Sequence, residues 1–292
     1  MSNENLFPKS FLKQGQNIHP GVEEEMNPLP IYDLPEYIND GKRLKDKVAI
    51  ITGGDSGIGR AVALAYAREG AKVCIIYLAD QEDVDANKTK KLIEDIGGEV
   101  ILIKGDISSL DFCNESVGKI IEKWGKVDIL VNNAAVQHDS KDLEDIGPEQ
   151  LETTFKINVF GSFYMTKAVV KYMKYGGSII NTTSITAYRG NEILLDYSCT
   201  KGALTTMTRT LSTMLIKDGI RVNAVAPGPI WTPFIPSSMN EERVKQFGSS
   251  SPMGRAGQPV ELAGAYVFLA CNESSYISGI TIHINGGEII NG

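Results

Sequence analysis

The chain has 292 residues, 42% of them hydrophobic and 22% charged, which is enough apolar side chain for a buried core and excludes a wholly disordered chain. Its 29 basic and 36 acidic residues give a net charge of −7, which argues against a nucleic-acid or anionic-membrane surface. No stretch approaches the roughly 20 apolar residues of a membrane span, and Met1 to Gln16 has no apolar signal core, so a soluble cytoplasmic protein is expected. The four cysteines (Cys74, Cys113, Cys199, Cys271) form no CxxC, and only three histidines are present (His19, His138, His283). Reduced thiols without a special role are expected, and no metal site.

Residues 1–44 read as an extended N-terminal arm outside the main fold. The first 40 hold two lysines against seven carboxylates, and five of the twelve prolines. Each proline removes a backbone donor and disfavours helix in the residue before it. The arm's apolar residues Leu29, Ile31, Tyr32, Leu34, Tyr37 and Ile38 need burial, and a neighbouring subunit could supply it.

From residue 45 onward, short runs rich in Val and Ile alternate with helical stretches. The expected strands are Val48–Thr52, Val73–Tyr77, Val100–Lys104, Val127–Val131, Ser178–Thr182, Arg221–Ala226 and Ile280–Ile284. Helices are expected near 57–69, 84–96, 109–124, 148–175, 196–218 and 259–270. Strands apolar on both faces and separated by helices imply a parallel sheet with right-handed crossovers, covered on both sides. The expected fold class is therefore α/β: one doubly wound, Rossmann-type domain over 45–292, its seven strands in the order 3-2-1-4-5-6-7. Such sheets bind ligands beyond the carboxyl ends of their strands, where function is to be sought.

The first strand runs straight into Gly53-Gly54-Asp55-Ser56-Gly57-Ile58-Gly59-Arg60. Glycines let the backbone turn sharply and approach a pyrophosphate, and free N–H groups at the helix start attract its charge. This T-G-x-x-x-G-x-G turn resembles that of the short-chain dehydrogenase/reductase family. After the second strand stand Tyr77 and Leu78, neither of which decides between NAD and NADP. The surroundings are acidic, with Asp55, Asp80, Glu82 and Asp83, and no Lys or Arg follows the strand before Lys88. A 2′-phosphate would be repelled there, so NAD is the expected cofactor, with NADP possible and Arg60 the main argument for it.

Tyr197 and Lys201 lie four apart in an expected helix, hence on one face. A lysine charge near a phenol favours the phenolate and lowers its pKa from about 10, making Tyr197 a plausible acid/base. Ser184 lies 13 residues before Tyr197, just past the fifth strand, where a hydroxyl could hold a substrate oxygen. With Asn158, Asn132-Asn133-Ala134-Ala135 and Pro227-Gly228, the resemblance to the family spans about 47–287. It implies an oxidoreductase with Asn158, Ser184, Tyr197 and Lys201 as catalytic residues. Tyr197 would exchange a proton with the substrate oxygen, Ser184 would position that oxygen, Lys201 would bind the nicotinamide ribose, and Asn158 would support a helix irregularity and a water-linked proton path. It also implies cofactor contacts from Gly53, Asp55, Ser56, Gly57, Ile58 and Gly59, and from Tyr77, Leu78, Asp106 and Ile107. Asn133, Ala134, Ala135, Thr182, Tyr197, Lys201, Pro227, Gly228, Ile230 and Thr232 complete the implied set. A helix-capping or turn residue is the alternative for Asp106.

The family's usual N-N-A-G ends here in Ala135, and Asn285 stands where many relatives carry Asp. The segment near 229–258 reads as a substrate lid. Trp231 and Phe234 could be lid packing or substrate wall, while Gln137, His138 and Asp139, which could face the pocket, read rather as a solvent-exposed loop. Arg189, Asn191 and Glu192 give the pocket a polar rim, which leans toward a small polar alcohol or carbonyl compound, polyol- or sugar-like. The whole chain, arm included, resembles a bacterial subgroup of glucose/ribitol-type or general-stress oxidoreductases. It implies a homotetramer, with the arm at a subunit interface. The competing reading is a catalytically weak NAD-binding sensor or scaffold. A lyase or epimerase on the same cofactor is disfavoured by the short substrate region.

Overall fold

The computed structural model describes residues 8, 10–17, 21–33 and 42–288. Seven strands form one parallel sheet: β1 (Val48–Thr52), β2 (Lys72–Tyr77), β3 (Val100–Lys104), β4 (Ile129–Asn132), β5 (Ser178–Thr182), β6 (Arg221–Pro227) and β7 (Thr281–Ile284). Their spatial order is β3-β2-β1-β4-β5-β6-β7, as the sequence predicts. The order reverses between β1 and β4, which opens a crevice at their carboxyl ends.

Between the strands run α1 (Gly57–Arg68), α2 (Asp83–Asp95), α3 (Leu110–Trp124), α4 (Pro148–Phe155), α5 (Ser162–Val170), α6 (Thr186–Arg189), α7 (Leu195–Leu215), α8 (Phe234–Ser238), α9 (Glu241–Lys245) and α10 (Val260–Ala270). Side chains alternate across each strand, so β1 sends Ala49 and Ile51 to a core with α1, α2 and α10, and Val48 and Ile50 to one with α3, α5 and α7. Both faces are dry, which is why the strands read as continuous apolar runs. Helix ends follow local chemistry: Ser109 Oγ accepts from the Phe112 N–H at the start of α3, and Gly125 closes it at φ +76°.

The single helix expected over 148–175 is interrupted. Lys156–Gly161 forms a π turn between α4 and α5, and the helix ends at Val170. The turn places Asn158 inward, while Gly161 lies so close to Ile107 that a methyl there would come within 2.7 Å of its side chain. Local widening of this kind aims one side chain at the expense of regular hydrogen bonding.

Apart from one 3-10 turn at Glu23–Glu25, the described part of the arm has no helix or strand, and it is laid against its own domain. Phe11 and Met26 join Trp231, Ile235, Val244 and Ala256 in a third buried cluster beneath the lid. Ile31 N–H donates to Gln258 Oε1 (2.8 Å), and the Tyr32 ring lies 5.0 Å from the Arg60 guanidinium. Leu29 is exposed, whereas Leu34, Tyr37 and Ile38 lie outside the described residues.

Candidate active site

A cleft of about 490 Å³ runs along the carboxyl ends of the strands, from the glycine turn to the lid. β1 delivers the chain to Gly53 (φ +61°) and Gly57 (φ +50°), backbone angles that side-chain-bearing residues rarely adopt. Thr52 Oγ1 accepts from the N–H groups of Asn133 (2.9 Å) and Ala134 (3.1 Å), and Asn133 Nδ2 returns bonds to the carbonyls of Thr52 and Gly53. The asparagine after β4 thereby locks the glycine turn to the neighbouring strand end. Gly59 does not line the cleft, and a methyl there would meet Gly53 O at 1.9 Å. Its role is to let α1 approach the turn. The other residues assigned to the cofactor from the sequence all line the cleft, Ala135 included. Asp106 lines the cleft, and its carboxylate closes a turn by accepting from Ser108 N–H (2.8 Å) and Oγ (2.7 Å).

The adenosine-side end is acidic. Asp55 and Glu82 both line it and are 5% exposed. Glu82 accepts from the N–H groups of Leu78 (2.7 Å) and Ala79 (3.2 Å), which fixes the loop after β2. Burial, then the nearby Glu82 carboxylate, pushes Asp55 up to about 8, and burial raises Glu82 as well. Arg60 points away from the cleft. Fully buried, it pairs with Glu23 and with Asp85 (2.8 Å), and donates to Thr89 Oγ1 (2.7 Å). Lys104, at the end of β3, is held by Asp80 and Asp83.

At the other end, α7 presents Tyr197 and Lys201 one turn apart, with the ammonium 5.4 Å from the phenol ring centre. Lys201 is 2% exposed and donates to Thr182 O (2.8 Å), so β5 sets its position and further donors remain for a ligand. Ser184 Oγ accepts from both Thr186 N–H and Oγ1 (3.1 Å each). A hydroxyl that accepts twice keeps its proton for a third partner, and Tyr197 faces it.

Asn158 is fully buried and does not line the cleft. Its Oδ1 accepts from Val136 N–H (2.8 Å), and its Nδ2 donates to Val136 O (2.9 Å) and Thr200 Oγ1 (3.0 Å). Thr200 Oγ1 in turn donates to Tyr197 O (2.7 Å). Asn158 thus joins the π turn, the strand-four loop and the catalytic helix.

The electrostatic expectation for Tyr197 changes. Desolvation pushes its hydroxyl up to about 12, opposed by Ser184, and burial brings Lys201 down to about 7. Enclosure dominates over the hydrogen bond from Ser184, and spacing in the sequence does not reveal it.

The lid separates the two readings left open for its aromatic residues. Phe234 lines the cleft, 6.3 Å from the Tyr197 ring, whereas Trp231 is fully buried lid packing. Gln137 is buried, lines the cleft and donates to Ser238 Oγ (2.7 Å), and Asp139 pairs with Arg243. The loop expected to face solvent therefore clasps the lid. Glu288, also in the lining, pairs with Arg189 (3.2 Å), while Glu192 lies outside it. Asn285 holds the final turn by donating to Glu288 O (2.8 Å).

A family model described as Enoyl-(Acyl carrier protein) reductase matches residues 53–288. The chain belongs to the short-chain dehydrogenase/reductase family. It is 54% identical to General stress protein 39 of Bacillus subtilis over 97% of this chain and 98% of that one. Identity to Glucose and ribitol dehydrogenase of Daucus carota is 50% (97% and 98% covered), and to NADPH-dependent aldehyde reductase 1, chloroplastic, of Arabidopsis thaliana 48% (96% and 98%). Among solved structures, a 3-ketoacyl-(acyl-carrier-protein) reductase from Brucella melitensis complexed with NADH superposes with a TM-score of 0.76 at 32% identity, covering 84% of this chain and 98% of that one. A Burkholderia cenocepacia short chain dehydrogenase in complex with NADP gives 0.78 at 29%, with the same coverage. This family member is an oxidoreductase with a nicotinamide-nucleotide fold.

Proposed function

We propose that this oxidoreductase transfers a hydride between NAD and a small polar alcohol or carbonyl compound, polyol- or sugar-like. The observation that carries the reading is the convergence of Ser184, Tyr197 and Lys201 on the same cleft wall as the glycine turn. The residues present fit a dinucleotide. The glycine turn leaves no side chain in the way, Lys201 has donors left for ribose hydroxyls, and Asn133 to Ala135 and Thr232 flank the space between. When bound, the nicotinamide accepts or supplies the hydride.

Tyr197, protonated over the neutral range by its enclosure, donates its proton to a carbonyl oxygen during reduction, and as phenolate takes it back in the oxidising direction. Ser184 holds that oxygen with the proton left free by its two accepted bonds. Lys201, anchored on Thr182 O, orients the ribose beside the phenol. Asn158 acts by holding Val136 and Thr200 in place, which sets the height of α7 against β4.

Preference for NAD is supported by the two carboxyls at the ribose end and by the engagement of Arg60 and Lys104 with other carboxylates. The substrate class is supported by a wall of neutral polar groups, Ser184, Gln137, Asn191 and Gln246, in which Arg189 and Arg243 are both matched by carboxylates. The plant relatives named above bear on both points, one named for glucose and ribitol and one for NADPH-dependent aldehyde reduction. A cytoplasmic homotetramer completes the proposal. It is supported by the exposed Phe160 and Phe163 beside the π turn and by Leu12 and Leu29 on the arm's outer side. Following reduced-nicotinamide absorbance over polyols, aldoses and small ketones with both cofactors tests the reading, and turnover surviving Tyr197→Phe would contradict it.

A further inference from the structure

We propose that Glu23 is a positioning residue for the cofactor turn, and that the arm carrying it ties this turn to the substrate lid. The inference rests on the cofactor reading above. Glu23 comes from a segment that sequence composition marks as an appendage, yet it is fully buried. A carboxylate in that position persists only when its charge and lone pairs are matched. Arg60, equally buried, supplies the charge, and the N–H of Gly57 donates to Glu23 Oε2 at 2.9 Å. Glu23 N–H donates to Asp85 Oδ2 (2.8 Å), whose other oxygen holds Arg60. One arm residue therefore fastens the first turns of α1 and α2 together.

Gly57 is the point where this fastening meets the cleft. It opens α1, lines the cleft, and faces the lid so closely that a methyl would lie 3.0 Å from Thr232 Cγ2. Behind it stands Glu23, and in front stands the lid. A few residues along the arm, the lid itself is held. Trp231 Nε1 donates to Pro28 O (2.8 Å), Phe11 stacks on the Trp231 ring at 3.7 Å and 10°, and Gln16 N–H donates to Pro236 O (2.8 Å). Gly21 lies so near the lid that a methyl would come within 2.6 Å of Pro233 O. Phe11 and Met26 supply two of the six buried residues in the lid's own core, which the sheet's cores do not reach. Trp231 in turn sits between Ile230 and Thr232, both in the cleft wall.

The arm thus holds both jaws of the nicotinamide and pyrophosphate region from outside the cleft. Order in the turn and order in the lid become one property, which lowers the entropy lost when a cofactor is gripped. Because Glu23 touches no reacting atom, its loss acts on binding and not on chemistry.

The test uses the full-length protein, with NADH affinity from nicotinamide fluorescence and steady-state kinetics. Folded Glu23→Ala is expected to bind NADH about tenfold more weakly, with cofactor KM raised in parallel and kcat within about threefold. Glu23→Gln, which still accepts from Gly57 N–H, is expected to recover most of the affinity. Unchanged NADH affinity in folded Glu23→Ala, or a fall in kcat with KM unmoved, would overturn the proposal. Should Glu23→Ala fail to fold, Phe11→Ala leaves the ion pairs intact. It is expected to speed amide exchange in residues 229–247 and to weaken NADH binding, and no change in either would overturn the strap. Wild-type protein that binds neither NADH nor NADPH would instead overturn the cofactor reading beneath it.

Discussion

The two ends of the cleft are built by opposite means. At the adenosine end, charge is buried and matched by other charge: Glu23 and Asp85 on Arg60, with Asp55 and Glu82 crowded at the rim. At the catalytic end, Lys201 is held by a carbonyl, Ser184 by Thr186, and Asn158 by the backbone of Val136, with no carboxylate among the described residues bonded to any of them. The difference teaches what each end is for. On the reading proposed above, the carboxyls at the ribose end bear on cofactor choice, whereas hydrogen bonds at the other end fix geometry and leave the Ser184 proton and the spare Lys201 donors for ligands.

The comparison breaks first at Tyr197. Tyr197→Phe keeps the ring against Phe234 and removes only the proton carrier, so kcat is expected to fall about a thousandfold with cofactor affinity unchanged, read by stopped-flow absorbance and fluorescence titration. Ser184→Ala should cost about a hundredfold in kcat/KM, because the donor aimed at the substrate oxygen is lost. At the adenosine end, Asp55→Asn combined with Glu82→Gln should leave kcat near wild type and narrow the NAD over NADP preference in kcat/KM, chiefly above pH 8 where Asp55 is ionised. A separate expected effect, given by its sign, is on stability. Asp55 titrates near 8 in the folded chain against 3.8 for an unperturbed group, so between those values the folded state holds the extra proton. Stability therefore falls as pH rises through that window, and Asp55→Asn escapes the fall. The thermal midpoint of the variant should gain on wild type from pH 4 to pH 8 and keep a constant lead above it, as differential scanning fluorimetry would show.

Much of the catalytic end was legible because its elements are local. The strands announce themselves by apolar runs, and the four-residue spacing of Tyr197 and Lys201 needs only a helix to bring them together. Ser184 follows from its place just beyond β5. What escaped depends on distant partners. Glu23 meets Arg60 across 37 residues, so a buried ion pair looked like surface charge in a proline-rich arm. The π turn arises where Asn158 bonds Val136, 22 residues away, and no helical periodicity records that pull. Gly59 belongs to the same motif as its neighbours, yet it serves helix packing because its Cα faces Gly53 O. For Tyr197, spacing reveals the lysine but not the enclosure that pushes the hydroxyl up.

The central claim is that a proton carried by Tyr197 accompanies hydride transfer on a small polar substrate. It is tested most directly by the pH dependence of kcat/KM for carbonyl reduction, measured for wild type and Tyr197→Phe with the best substrate of a polyol, aldose and ketone panel. The account expects a wild-type rate that holds across neutral pH and declines only on the alkaline side, as the raised phenol finally ionises, with the variant near background throughout. A variant that keeps wild-type rates and the same alkaline limb would contradict it.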